Sequence, residues 1–268
     1  MKRQPRLAAG RARALGLPTR GTTNPNRLRR MDNWIAITQA SLIRSADSPL
    51  IIDLGFGASP ITAVELLQRL RPVRADVHVL GLEIDAERVA AAQPAAGPGL
   101  SFAHGGFELA GRRPLLVRAA NVLRQYPEAE VQPAWQAMQR QLAPGGVIVD
   151  GTCDELGRRG SWTLVSAAGP VSLTLFSKPD AIQRPSDIAD RLVKALIHRN
   201  VPGEAVHELL RAMDRAWDLH APLAAFGNRQ RWAAMCETLA EQWPLLSTPA
   251  RHRSGELTVS WHAVAPSG

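Results

Sequence analysis

Four residues have the types and spacing to do chemistry together: Asp53, Gly55, Gly57 and Glu83. In LIIDLGFGASP (residues 50–60) an apolar run ends in an acid, and two glycines follow one residue apart. A glycine turn after a buried strand lets the backbone approach a ligand closely. Gly55 and Gly57 meet the first two positions of G-x-G-x-x-G, but Pro60 stands where the third glycine belongs. The phosphate-cradling loop fails as well, because no G-K-[ST] follows the turn. An acid at Asp53 repels a pyrophosphate seated over the next helix N-terminus and suits a cationic amine, held directly or through water. Glu83, which closes VHVLGLE, is placed to accept hydrogen bonds from both hydroxyls of a ribose. NAD enzymes share that last device, so Glu83 discriminates only in combination. Asp53, Pro60 and Glu83 together favour S-adenosylmethionine, which carries an amine and a sulfonium and no phosphate, over NAD.

The elements that must position these residues alternate. LIIDL, DVHVLGLE, SFAH, LLVRAA and VIVDGTC read as strands, and SPITAVELLQRL, AERVAAAQ and PAWQAMQRQL as the helices between them. Ser59 is the cap candidate of the first of these helices, with Pro60 at its first position. The alternation predicts an α/β, Rossmann-like doubly wound sheet, mostly parallel. Upstream, residues 21–45 read as one helix capped by Thr22, Thr23 or Asn24, with an apolar stripe of Leu28, Met31, Ile35 and Leu42. Downstream come a hairpin around Gly169-Pro170, two amphipathic helices starting near Ser186 and Gly203, a further helix over NRQRWAAMCETLAEQW, and a last strand in GELTVSWHAV. Nothing repeats internally, and no composition shift cuts the chain. The expected organisation is a basic arm over 1–20 and one domain over 21–268, with 185–245 a mainly helical elaboration.

At these residues the chain resembles the class I S-adenosylmethionine-dependent methyltransferases. IIDLGFGASP is similar to their glycine motif, and VLGLEID, with Ile84 after the acid, to their second-strand motif. SFAHGGFELA is similar to the segment that lines the adenine, here through Gly106 and Phe107; the family often has an acid where this chain has Gly106. LLVRAANVLRQY is similar to the fourth-strand motif beside the methyl donor, and LAPGGVIV to the turn into the fifth strand. The resemblance covers residues 50–153. It implies a seven-stranded sheet with one antiparallel strand, S-adenosylmethionine as cofactor, and Ser59 in the glycine motif. Asn121 ends an apolar strand where such sheets bind ligands, and Tyr126 is the only tyrosine in the chain. Asn121 is a candidate for cofactor contact, and both are candidates for the reaction itself, with packing roles as the alternative. GTTNPNRLRRMDNW also resembles the N-terminal helix that packs over the cofactor in some ribosomal-RNA guanine methyltransferases. That places Thr23 and Arg27 at the mouth of the site; the alternative is a basic helix that merely covers the sheet.

Of 32 Lys and Arg residues, nine fall in residues 1–30 together with no acid, whereas the whole chain has a net charge of +8. The excess therefore sits in the arm, which can neutralise phosphates or serve as a solubilising tail. On that ground RNA is the slightly preferred acceptor, with a small molecule as the alternative. A non-catalytic methyltransferase-like fold that binds nucleic acid is the reading from another class. The two cysteines are far apart, and HExxH, CxxC and GxSxG are all missing, so a reduced cytoplasmic chain without a metal site is expected. No run of about 18 apolar residues predicts a membrane span.

Overall fold

Each apolar run in residues 50–153 forms a strand, because a strand buried on both faces needs apolar side chains on both. The structure is a computed structural model and describes residues 23–267, so the basic arm over 1–20 lies outside the described residues. The strands β1 (Leu50–Leu54), β2 (His78–Glu83), β3 (Leu100–His104), β4 (Leu116–Ala120) and β5 (Val147–Cys153) pair in parallel in the order β3-β2-β1-β4-β5. This is the doubly wound topology expected. The order reverses between β1 and β4, and the crevice at the carboxyl ends of those strands is where such sheets bind ligands.

Helices cover both faces. On one, α1 (Arg29–Thr38) and α3 (Ile61–Leu70) bury Trp34, Ile35, Leu66 and Leu70 against Ile51, Val79 and Val149. The helices α2 (Ala40–Ser45) and α4 (Ala86–Ala92) add Ile43, Val89 and Ala92 to that layer. On the other face, α5 (Val131–Gln139) packs Trp135 and Met138 against Ile52, Leu80, Val117 and Ile148.

Beyond β5 the sheet continues with β6 (Arg159–Ser166), β7 (Gly169–Ser177) and β8 (Glu256–Ser260), each antiparallel to its predecessor. The sheet thus has eight strands, where seven with one antiparallel strand were expected. The cause is the short connection over residues 154–158. A parallel partner needs a crossover of about a dozen residues or more, so the chain can only fold straight back. The hairpin turn lies at residues 167–168, with Gly169 and Pro170 already in β7.

Two helix expectations need correction. The N-terminal helix is split at Gln39 into α1 and α2, and its cap position is Leu28, with no side-chain cap hydrogen bond. Thr23 and Asn24 lie ahead of it, and Thr22 lies outside the described residues. The segment starting near Ser186 is a 3-10 turn, Pro185–Arg191, followed by the four-residue α6 (Lys194–Ile197). There the Asp187 carboxylate accepts from the backbone N–H groups of Gln183 and Arg184 at 2.8 and 3.2 Å, which closes a tight turn in place of a long helix. The helices α7 (Ala205–Leu219) and α8 (Asn228–Leu239) form as expected and pack onto Leu173, Leu175, Leu257 and Val259. The short α9 (Pro249–Arg253) leads into β8. Among the described residues no helix is long and apolar enough to cross a membrane, and no group of three His, Cys, Asp or Glu could hold a metal ion.

Candidate active site

A cavity of about 410 Å³ opens at the carboxyl ends of the parallel strands. Asp53, Gly55 and Gly57 line it from β1 and its turn, Glu83 and Ile84 from the end of β2, and Gly106 and Phe107 from beyond β3. Asn121 and Tyr126 follow β4, and Thr23 and Arg27 come from the N-terminal segment. Of the residues expected at the site, Ser59 is the one that does not line the cavity; its hydroxyl accepts from the Ile61 N–H at 3.4 Å, at the start of α3.

The glycine turn depends on its glycines. Gly55 and Gly57 have φ of +69° and +82°, which L side chains rarely adopt, and a Cβ on Gly55 would lie 2.8 Å from Val122 Cγ2. Glu83 braces the turn from the neighbouring strand. Its Oε2 accepts from the Gly57 N–H at 2.9 Å and its Oε1 from the Ile84 N–H at 3.0 Å. Arg88 Nη1 stands 3.8 Å from the same carboxylate.

Asp53 is 2% exposed and belongs to a buried ionic network. Its Oδ1 accepts from Arg118 Nε at 3.0 Å, and its Oδ2 lies 2.7 Å from Arg118 Nη2 and accepts from the Thr62 hydroxyl at 2.9 Å. Arg118, fully buried in β4, also donates to Asp32 of α1 and to the Thr62 carbonyl. Burial disfavours the guanidinium charge, but the Asp32 and Asp53 charges outweigh it and raise the Arg118 pKa. Arg69 bonds Asp32 at 2.9 Å and Glu65 at 3.2 Å. Asp32, Asp53 and Glu65 stand against Arg69 and Arg118, and burial pushes the Asp32 carboxyl up against the opposing pull of Arg118 and Arg69. Within it the Asp53 carboxylate lies beneath the glycine turn and beside Thr62 in the first turn of α3, the place a pyrophosphate would require.

The far wall is held across strand ends. Asn121 has φ +60°, left-handed for a non-glycine residue, and its Oδ1 accepts from Thr152 Oγ1 at 3.1 Å and the Cys153 N–H at 3.0 Å. Its Nδ2 faces the Cys153 thiol at 3.6 Å. Burial pushes that thiol's pKa up, against the opposing pull of Arg27, which leaves it protonated at neutral pH. The Phe107 and Tyr126 rings pack tilted with centroids 5.3 Å apart. Glu108, two residues after Gly106, accepts from the Gly106 N–H at 2.7 Å, so a carboxylate stands near the position where the resembling family has its acid.

Residues 23–28 form a strap over the β5–β6 turn. Arg27 donates to the Asp154 carbonyl at 3.0 Å and the Cys153 carbonyl at 3.3 Å, and Asn24 to the Glu155 carbonyl at 3.2 Å. A Cβ on Gly157 would lie 2.2 Å from the Arg27 carbonyl oxygen, so only glycine permits this approach.

Sequence reasoning missed Asp32, Thr62, Arg118, Arg124, Cys153 and Arg191. Arg118 had a signal, a lone charge inside LLVRAA. Arg191 had none, because it reaches the site from a distant segment.

No protein-family model matches the chain, and no curated protein does. Solved structures do. The magnesium protoporphyrin IX methyltransferase ChlM from Synechocystis PCC 6803, with bound SAH, matches at 19% identity and TM-score 0.33, over 49% of this chain and 61% of that one. A single-residue variant of LepI, in complex with SAH and a substrate analogue, matches at 16% and 0.38, over 49% and 33%. The CcbJ methyltransferase from Streptomyces caelestis matches at 17% and 0.34, over 60% and 68%. The aligned parts thus span under two thirds of the first two proteins, and likenesses of this strength carry no argument about chemistry.

Proposed function

We propose that the chain is an S-adenosylmethionine-dependent methyltransferase acting on a small molecule. The observation that carries this reading is the glycine turn with the buried Asp53 carboxylate already at the helix N-terminus beneath it. A pyrophosphate would meet that carboxylate, whereas a sulfonium and an amine are favoured by it. Bound S-adenosylmethionine supplies a methyl group already activated on sulfur. The chain's own task is then binding, alignment and exclusion of water. Glu83 accepts from ribose hydroxyls, while the Gly55–Gly57 backbone gives close approach. Phe107 and Ile84 flank a flat ring beside Gly106, and Asn121, fixed by its bonds to Thr152 and Cys153, borders the reacting end. Thr23 and Arg27 close the mouth. Asn121 does not titrate and the Cys153 thiol stays protonated, so the acceptor atom is one that reacts without a strong base, or one that Tyr126 assists.

A cavity of about 410 Å³ is of the size that takes small ligands, roughly 300–1,000 Å³, and none of the described residues supplies a separate basic groove for RNA in support of the other acceptor class. The expectation of RNA rests on the arm over 1–20, outside the described residues. Calorimetry tests the cofactor: S-adenosylmethionine should bind at micromolar levels and NAD not comparably, and tight NAD binding overturns the reading. Glu83→Gln should weaken S-adenosylmethionine about tenfold, the effect of one charge-assisted hydrogen bond. A labelled-methyl screen over small-molecule and RNA pools then separates the two acceptor classes.

A further inference from the structure

The cavity has two electrostatic ends, with Asp53 and Glu83 at one and arginines at the other. Arg124, on the 3-10 turn Leu123–Gln125 after β4, and Arg191, at the end of the turn Pro185–Arg191, both line it. Arg124 Nη1 is buried and has no hydrogen-bond partner among the described residues, and neither has Arg191 Nε. Arg191 Nε lies 3.4 Å from Asp190 Oδ2, but Arg159 Nη2 shares that oxygen at 3.3 Å. Arg159 Nε reaches Asp154 only at 3.9 Å. Burial and the neighbouring Arg191 both disfavour the Arg124 charge, with Asp190 opposing them. Arg191 is not loosely placed, since its carbonyl accepts from the Ser161 hydroxyl at 2.7 Å. Arg124 Nη1 is thus left without an acceptor among the described residues and Arg191 Nε with only a shared carboxylate, and an anion in the cavity would complete both.

We infer that the acceptor is an anion, carrying a carboxylate or phosphate group, and that Arg124 and Arg191 bind that group on the β5–β6 side of the cavity. The inference rests on the methyltransferase reading for the word acceptor, although the anion site itself does not. Guanidiniums suit either group because their N–H forks match planar and tetrahedral oxyanions. The arrangement also orders the two ligands, with the cationic donor over the acidic network and the anionic acceptor against the arginines.

The test is a thermal-shift panel on the full chain, with and without S-adenosylmethionine. It uses aryl and alkyl carboxylic acids, each matched with its methyl ester, and phosphate monoesters, each matched with the parent alcohol. The acids or the phosphates should raise Tm where their neutral partners do not. Which of the two sets responds identifies the anionic group. In the double variant R124M/R191M, calorimetry should show the best anion bound at least tenfold more weakly and S-adenosylmethionine within twofold of the parent. Arg191→Lys, which keeps the charge, should lose less than Arg191→Met; this comparison stands if the double variant fails to fold. The inference is overturned if no anion in the panel binds, if neutral partners bind equally well, or if removing the guanidiniums leaves anion affinity unchanged. Failure of S-adenosylmethionine to bind the parent chain overturns the methyltransferase reading instead, and anion binding is then scored on the chain alone.

Discussion

Asp53 and Asp150 are both 2% exposed and lie on opposite faces of the same sheet, and the two faces bury their acids in different ways. Asp53 pairs in register with Arg118, whereas Asp150 sits beside Ala119, one residue on and therefore on the other face. On the α1–α3 face the carboxylates are paired with the Arg69 and Arg118 guanidiniums, and Asp53 also with a hydroxyl. On the α5 face Asp150 accepts from Trp135 Nε1 at 3.1 Å within a layer of apolar side chains. Burial pushes the Asp150 carboxyl up to about 7, and the Trp135 bond offsets this only in part. One face therefore pairs its carboxylates with guanidiniums, whose pull opposes the burial that pushes the Asp32 carboxyl up, and the other offers Asp150 only an indole N–H. Asp53 of the paired face lines the cavity and Asp150 does not, so the paired carboxylate is the one that stands where a cationic ligand is read to bind.

Removing the guanidinium breaks the comparison most severely. Arg118→Met leaves Asp32 and Asp53 buried without their shared cation, and the expected cost is about 5 kcal/mol, the upper end for breaking a buried pair. Urea denaturation at pH 7 measures it. Adding Asp53→Asn to Arg118→Met should return part of the loss. A single variant that costs under about 1 kcal/mol would mean the carboxylates do not depend on Arg118.

The proton-holding face should show itself through pH. An acid whose folded pKa is raised binds more protons folded than unfolded, so stability falls as pH rises from about 4, the unfolded value, to about 7, and is flat above. About three pKa units correspond to about 4 kcal/mol, lost across that window. Denaturation of the parent and of Asp150→Asn at pH 5 and pH 8 isolates this contribution. The amide still accepts from Trp135 and does not ionise, so the variant should gain on the parent at pH 8. An equal difference between the two proteins at both pH values would show that the folded Asp150 carboxyl is not raised into this window.

The parallel half was legible because its signals are local. The strand runs, the turn glycines Gly55 and Gly57 and the acid Glu83 each act within a few residues of where they are read. The partners of Asp53 were not legible. Arg118 lies 65 residues away, and Asp32 is brought to Arg118 from 86 residues away, so only tertiary packing joins them. Asp150 was visible in VIVDGTC, but a strand buried on both faces has no alternation to say which layer an acid enters. The segment over 185–197 has helical apolar spacing, and the Asp187 turn overrides it and delivers Arg191 to the cavity. The antiparallel half of the sheet does have a local signal, the length of residues 154–158. Too short for a crossover helix, that connection also sets the direction of the strand it leads to.

The smallest and sharpest comparison removes one neutral donor from each face. Thr62→Val deletes the hydroxyl that Asp53 accepts at 2.9 Å and leaves Arg118 in place, so about 1 kcal/mol is expected, with Thr62→Ser close to the parent. Trp135→Phe deletes the indole N–H that favours the charged form of Asp150, along with some packing volume. The packing loss is the same at every pH. The lost hydrogen bond is not: it drives the Asp150 carboxyl higher still, so the variant should cost about 1 kcal/mol more at pH 8 than at pH 5. If both pH values give one cost for Trp135→Phe, the indole serves only as packing, and the proton on Asp150 is held by burial alone.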